Sequence, residues 1–161
     1  MTRFEKITVY SSTIAVAATG FAYAGMKYLM EPADEWAIVN HPLQPWILKL
    51  HILAAPVLVF AIGLIAARHI LPQLRARVPR TLRSGMGSAL IIIPMILSGY
   101  LLQAATSTAI LTLLGYIHLA AGAIFTVTSI AHARAARRKY RESDYAEDDD
   151  EPGIPLQRRA G

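Results

Sequence analysis

Apolar positions along this chain form four long runs separated by shorter polar stretches. We predict membrane-crossing helices over residues 7–30, 47–70, 84–105 and 108–131, because about 18 or more apolar residues with few charges match the ~30 Å hydrocarbon core of a bilayer. Between Arg83 and Arg134 lie fifty residues without Asp, Glu, Lys or Arg. A single helix of that length would measure about 75 Å. The run is therefore predicted to fold back as a hairpin near residues 104–108.

Composition supports this interpretation. Of the 161 residues, 54% are hydrophobic and 17% are charged, whereas soluble domains carry about 25% charged residues. An intrinsically disordered chain, a coiled coil and an ordinary soluble enzyme are excluded. We predict an all-α integral membrane protein, an up-and-down four-helix bundle over residues 1–135, with a disordered, charged cytoplasmic tail over 136–161. An alternative for the first span is a cleaved signal peptide, since Ala22-Tyr23-Ala24 resembles a signal-peptidase site.

The distribution of basic residues predicts the orientation. Fourteen of the sixteen Lys and Arg residues lie in the N-terminus, in the connection over residues 68–83 or in the C-terminal tail. Positive charge marks the cytoplasmic side, so both termini are predicted to be cytoplasmic in a multi-pass protein of the cell inner membrane. Because the basic residues flank apolar spans, the lipid bilayer is the expected partner and nucleic acid is not. The second and fourth spans then run in the same direction.

The candidate chemistry lies in the histidines of these two spans. His51 and His69 are 18 residues apart and His118 and His132 are 14 apart; at about 100° per residue each pair shares one helix face. Co-directional spans place His51 level with His118 and His69 level with His132. Two facing imidazoles at two levels suit the axial positions of two haem irons. The axial separations differ, about 27 Å against about 21 Å, and a kink at Pro56 or a tilted span is expected to absorb the difference.

With this pattern the sequence resembles the four-helix dihaem membrane cytochromes b, including the membrane-anchor cytochromes of bacterial dehydrogenases, over about residues 7–138. The resemblance rests on two histidines on each of two co-directional helices, with Arg68 beside His69 and Arg134 two residues after His132. It implies two haem b groups bound by these histidines, arginines that meet haem propionates, and glycines against the haem faces, here Gly85 and Gly99. The haems are expected to be non-covalent, because the chain has no cysteine to attach them.

The function expected from these features is transmembrane electron transfer between the membrane quinone pool and a redox partner. The partner would be an outer-face flavoprotein or c-type cytochrome, or a dehydrogenase subunit. Quinone is the other expected ligand. No nucleophile–base arrangement is visible, so the chain is expected to act as an electron-transfer subunit of an oxidoreductase complex rather than as a stand-alone enzyme. Two alternatives remain open: a transporter or channel subunit using the intramembrane histidines for protons or metal, and a structural anchor whose histidines bridge helices.

Overall fold

The computed structural model describes residues 2–72 and 83–149, and these contain four long helices and no strand. The helices are α1 (Arg3–Tyr28), α2 (Gln44–Ile65), α3 (Arg83–Ala104) and α4 (Thr108–Asp149), with a π-helical turn over Ala66–Ile70 directly after α2. Each of the four contains a segment long and apolar enough to cross a membrane. The prediction of an all-α, four-helix protein is confirmed, while insertion in a membrane and the cytoplasmic position of the termini stay predictions.

The helix ends follow from local sequence. α1 begins with a capping box, in which the Thr2 hydroxyl accepts from the Glu5 backbone N–H and the Glu5 carboxylate accepts from the Thr2 N–H. Its last carbonyls are capped by the amide of Asn40, which donates to the carbonyls of Lys27 and Met30 at 3.0 and 2.8 Å. Pro45 stands in the first turn of α2, where its missing N–H has no cost.

The long uncharged run folds back over residues 105–107, which join α3 to α4. This turn lies within the segment predicted for it. α4 then continues through 42 residues to Asp149, far enough to reach well beyond a bilayer core. It therefore extends into the segment for which the sequence predicts disorder from residue 136. Alanine, arginine, lysine and glutamate dominate this extension, and they are strong helix formers even in a polar segment. The remainder of that tail, residues 150–161, lies outside the described residues.

The four helices form two hairpins, α1 with α2 and α3 with α4, and the main contact between the hairpins joins α1 to α4. Within the second hairpin, the Ser88 hydroxyl donates to Thr128 at 2.9 Å, and Gly99 lies against His118. These contacts set one antiparallel register, since residue numbers fall along α3 as they rise along α4. α2 and α4 run in the same direction, as the sequence predicts.

The bundle is polar inside and apolar outside at several positions, the reverse of a water-soluble protein. Its buried apolar cluster is small and draws on three helices: Leu58 of α2, Met95 of α3, and Ala121 and Phe125 of α4. Many large apolar side chains are instead exposed on the outer faces, such as Leu53, which is 71% exposed. Such surfaces suit contact with lipid tails.

The π-helical turn changes the geometry around His69. A π-turn places hydrogen bonds between residues five apart instead of four, so the rotation of 100° per residue does not hold from Ala66 to Ile70. The expectation that His51 and His69 share one helix face assumes α-helical geometry throughout, and the backbone departs from that geometry at His69. The side chains of Arg68 and His69 lie outside the described residues.

Candidate functional site

Two of the predicted histidines meet between the hairpins. The imidazole of His51, on α2, and that of His118, on α4, have ring centroids 6.1 Å apart and planes inclined at 81°. Both rings are half-buried. Two imidazoles that share one metal ion, with bonds of about 2 Å to each nitrogen, have centroids about 6 Å apart. The observed separation is therefore that of two ligands of one metal ion.

Hydrogen bonds assign the same tautomer to both rings. The Nδ1 of His51 lies 3.1 Å from the main-chain oxygen of Val16, and the Nδ1 of His118 lies 3.0 Å from that of Met95. A carbonyl oxygen only accepts, so in each ring Nδ1 carries the hydrogen and donates. Nε2 of a neutral ring then keeps its lone pair, which is the form that binds a metal. Two such nitrogens cannot hydrogen-bond to each other, because neither has a hydrogen to donate.

Each imidazole also lies directly against a glycine of its partner helix. A Cβ placed on Gly20 of α1 would come within 2.9 Å of Cε1 of His51, and one placed on Gly99 of α3 within 3.1 Å of Cε1 of His118. Carbon atoms in van der Waals contact are about 3.5–4.0 Å apart. A side chain at either glycine would therefore displace the ring. By contrast, a Cβ at Gly25, Gly63 or Gly122 would have no neighbour within 4 Å.

A pair of tyrosines bridges the hairpins on one side of the imidazoles. Tyr28, at the end of α1, stacks on Tyr116, two residues before His118, with ring centroids 5.9 Å apart and planes at 24°. The ammonium of Lys27 lies 5.4 Å from the centroid of Tyr28, which is within cation–π range. This end of the bundle, which the basic-residue count assigns to the outer side, joins α1 to α4 through aromatic side chains next to the histidines.

The other predicted site residues are less completely described. His132 is half-buried on α4 and has a partner, and Arg134 is exposed two residues further along. The register of the second hairpin, in which Gly99 lies against His118, places residue 85 opposite His132, since both are 14 residues further along their helices. The surroundings of Gly85 lie outside the described residues, as do the side chains of Arg68 and His69. Only His51 and His118 are therefore shown together. His41 lies apart, in the loop before α2, where its Nδ1 accepts from the backbone N–H of Leu43 at 3.1 Å.

Sequence reasoning missed the residues that hold the imidazoles. It singled out Gly99, but not Gly20 or the hydroxyl residues Thr19 and Ser98 that precede the two glycines. A hydroxyl residue followed by glycine occurs once in α1 and again in α3, in the helix that precedes each histidine-bearing helix. That repeated dipeptide was the available signal.

Within the described residues, the site has two imidazoles, and no group of three or more His, Cys, Asp or Glu side chains lies together. Protein zinc sites have three or four protein ligands, whereas a haem iron with both axial positions filled takes two. The donor set thus fits a haem better than a zinc ion. Comparison of the chain with family models, with curated proteins and with solved structures finds no match. The function is therefore inferred from the residues of the chain itself.

Proposed function

We propose that this protein transfers electrons across a membrane by means of two bis-histidine b-type haems, one of them held by His51 and His118. The observation that supports this most directly is the pair of imidazoles 6.1 Å apart on different hairpins, each with Nδ1 committed to a main-chain carbonyl. That arrangement offers two Nε2 lone pairs to one iron. When bound, haem b supplies a one-electron redox couple.

The residues around this pair orient the ligands before any cofactor arrives. The carbonyls of Val16 and Met95 hold the two rings by their Nδ1–H groups, and such bonds set ring orientation and raise ligand basicity. Gly20 and Gly99 leave the space in which the rings lie. Because each hairpin supplies one imidazole and its support, a shared iron would also join two hairpins that otherwise meet mainly through α1 and α4.

His69 and His132 are proposed to bind the second haem toward the cytoplasmic side, with Arg68 and Arg134 near its propionates. Support comes from the co-directional course of α2 and α4, which places both residues on the same side of the His51–His118 pair. The spacing of residues 85 and 132 also supports it, because it repeats that of Gly99 and His118.

The proposed setting is the cell inner membrane, with both termini in the cytoplasm. Membrane quinone and an outer-face redox protein or a dehydrogenase subunit are the proposed partners. The outer loop carries Glu31, Asp34 and Glu35, acidic residues that suit a basic partner surface. Two haem levels between the membrane faces would make the protein an electron-transfer subunit rather than a stand-alone enzyme.

The test is the pattern of haem loss among histidine variants in membranes from haem-replete cells. His51→Ala and His118→Ala are expected to remove the same haem, because an iron held by two imidazoles loses much of its binding energy with either one. His69→Ala and His132→Ala are expected to remove the other haem. Haem per chain is measured by the pyridine haemochrome assay, and reduced-minus-oxidised spectra distinguish the two haems.

His41→Ala is the matched control, since this histidine lies in the loop before α2 and is expected to leave both haems in place. A purified wild-type protein without haem would overturn the proposal and favour the transporter or structural-anchor alternatives. Loss of different haems from His51→Ala and His118→Ala would show that these two residues do not share an iron.

A further inference from the structure

The two hairpins hold their histidines with the same polar arrangement. In each, the helix that precedes the histidine-bearing helix offers a main-chain carbonyl, a hydroxyl three residues later and then a glycine. The hydroxyl oxygen of Thr19 lies 3.2 Å from Nδ1 of His51, and that of Ser98 lies 3.1 Å from Nδ1 of His118. The members are Val16, Thr19 and Gly20 around His51, and Met95, Ser98 and Gly99 around His118.

The single hydrogen of each hydroxyl is already used within its own helix. Thr19 donates to the carbonyl of Ala15, and Ser98 donates to that of Pro94, both at 2.7 Å. Donation to the carbonyl four residues earlier is a common pattern for these side chains in helices. A hydroxyl has one hydrogen and two lone pairs, so toward the imidazole each oxygen acts as an acceptor. The Nδ1–H of each histidine is therefore shared between a carbonyl and a hydroxyl.

We propose that Thr19 and Ser98 are positioning residues that hold the axial imidazoles in the metal-binding tautomer, and that they tune the iron between them. The effect on the tautomer stands on the hydrogen bonds alone, while the effect on the iron rests on the proposed function. Two acceptors on one N–H restrict rotation of the ring more than one acceptor does. Each oxygen also disfavours the alternative tautomer, because a ring nitrogen without hydrogen would bring its lone pair against the carbonyl.

The tuning has a definite direction. An acceptor on Nδ1–H increases electron donation from the imidazole to its metal, which favours oxidised iron over reduced iron. Removing the acceptor is therefore expected to raise the midpoint potential of the haem held by His51 and His118. A residue that only packed against the ring would change haem occupancy and leave the potential of the bound haem unchanged.

The experiment uses Thr19→Val and Ser98→Ala in the full chain in lipid bilayers. Nitrogen-15 NMR of histidine-labelled protein without haem measures the tautomer of each ring, and redox titration of the haem-loaded protein measures the midpoint potential. Each substitution is expected to shift the tautomer ratio of the histidine it contacts about fivefold toward the Nε2–H form, the equivalent of one ordinary hydrogen bond. Each is also expected to raise the potential, and Thr19→Ser and Ser98→Thr are expected to retain wild-type values.

Thr112→Val is the matched control. Its hydroxyl makes the same kind of bond, to the carbonyl of Thr108 at 2.9 Å, but it is exposed and distant from both rings, so neither readout should change. Unchanged tautomer ratios in Thr19→Val and Ser98→Ala would overturn the proposal, as would lower haem occupancy with an unchanged potential. If the wild-type protein bound no haem, the proposed function would fail, and the NMR measurement would still decide the role of the two hydroxyls.

Discussion

Replacing Gly20 with alanine tests the imidazole site with a single methyl group. The new Cβ would lie 2.9 Å from Cε1 of His51, so the ring or the helix must move by about 0.6 Å or more to reach ordinary carbon contact. Forcing an extra methyl group into packed surroundings costs about 1–3 kcal/mol. The gain in helix propensity from glycine to alanine offsets about 0.5–1 kcal/mol of this in overall stability, but it does not restore the position of the ring.

The expected result is a loss of haem affinity by about one order of magnitude, since about 1.4 kcal/mol corresponds to a factor of ten. Titration of haem into haem-depleted protein, followed in the Soret region, measures the affinity. Gly99→Ala is expected to have a smaller effect, because its Cβ would lie 3.1 Å from Cε1 of His118. The predicted order of affinity loss is Gly20→Ala first, Gly99→Ala second.

Gly25→Ala is the control on the same helix as Gly20. Its Cβ would meet no atom within 4 Å, so haem affinity should be unchanged. Wild-type affinity in Gly20→Ala would refute the assignment of this glycine as the space for the His51 ring. Equal losses in Gly20→Ala and Gly25→Ala would show that the effect belongs to α1 in general and not to the contact with His51.

Three further predictions concern the cofactor and the orientation. Acid–acetone is expected to extract all haem, because the chain has no cysteine to hold it covalently; haem retained after extraction would contradict non-covalent binding. If the planes of His51 and His118 keep their 81° inclination in the haem-bound protein, the oxidised haem should give the highly anisotropic low-spin EPR signal of crossed axial imidazoles, whereas a rhombic signal would indicate parallel rings. Reporter fusions at Ala33 and Thr106 should be active on the outer side and a fusion at the C-terminus in the cytoplasm, because positive residues concentrate at the termini and the second connection; an outer C-terminus would refute the proposed orientation.

Local pattern is enough to predict the helices and their order. Apolar runs of membrane-crossing length, proline at the start of α2 and fifty uncharged residues that must turn back are all readable from neighbouring residues. They predict four helices and the common direction of α2 and α4. Spacing arithmetic also selects His51 and His118 as neighbours, because both positions depend only on helix geometry and on the order of the helices.

Contacts between helices could not be predicted in the same way. The pairing of Val16 and Gly20 with His51 depends on the register between two helices, and the polar loop that joins them leaves that register undetermined. The π-helical turn at Ala66–Ile70 is equally hidden, because it exchanges one hydrogen-bond pattern for another without a proline or glycine in its own sequence. Four apolar helices can pack in many registers of similar apolar burial. Tertiary structure selects the one in which a glycine makes room for each imidazole and a carbonyl accepts its Nδ1–H.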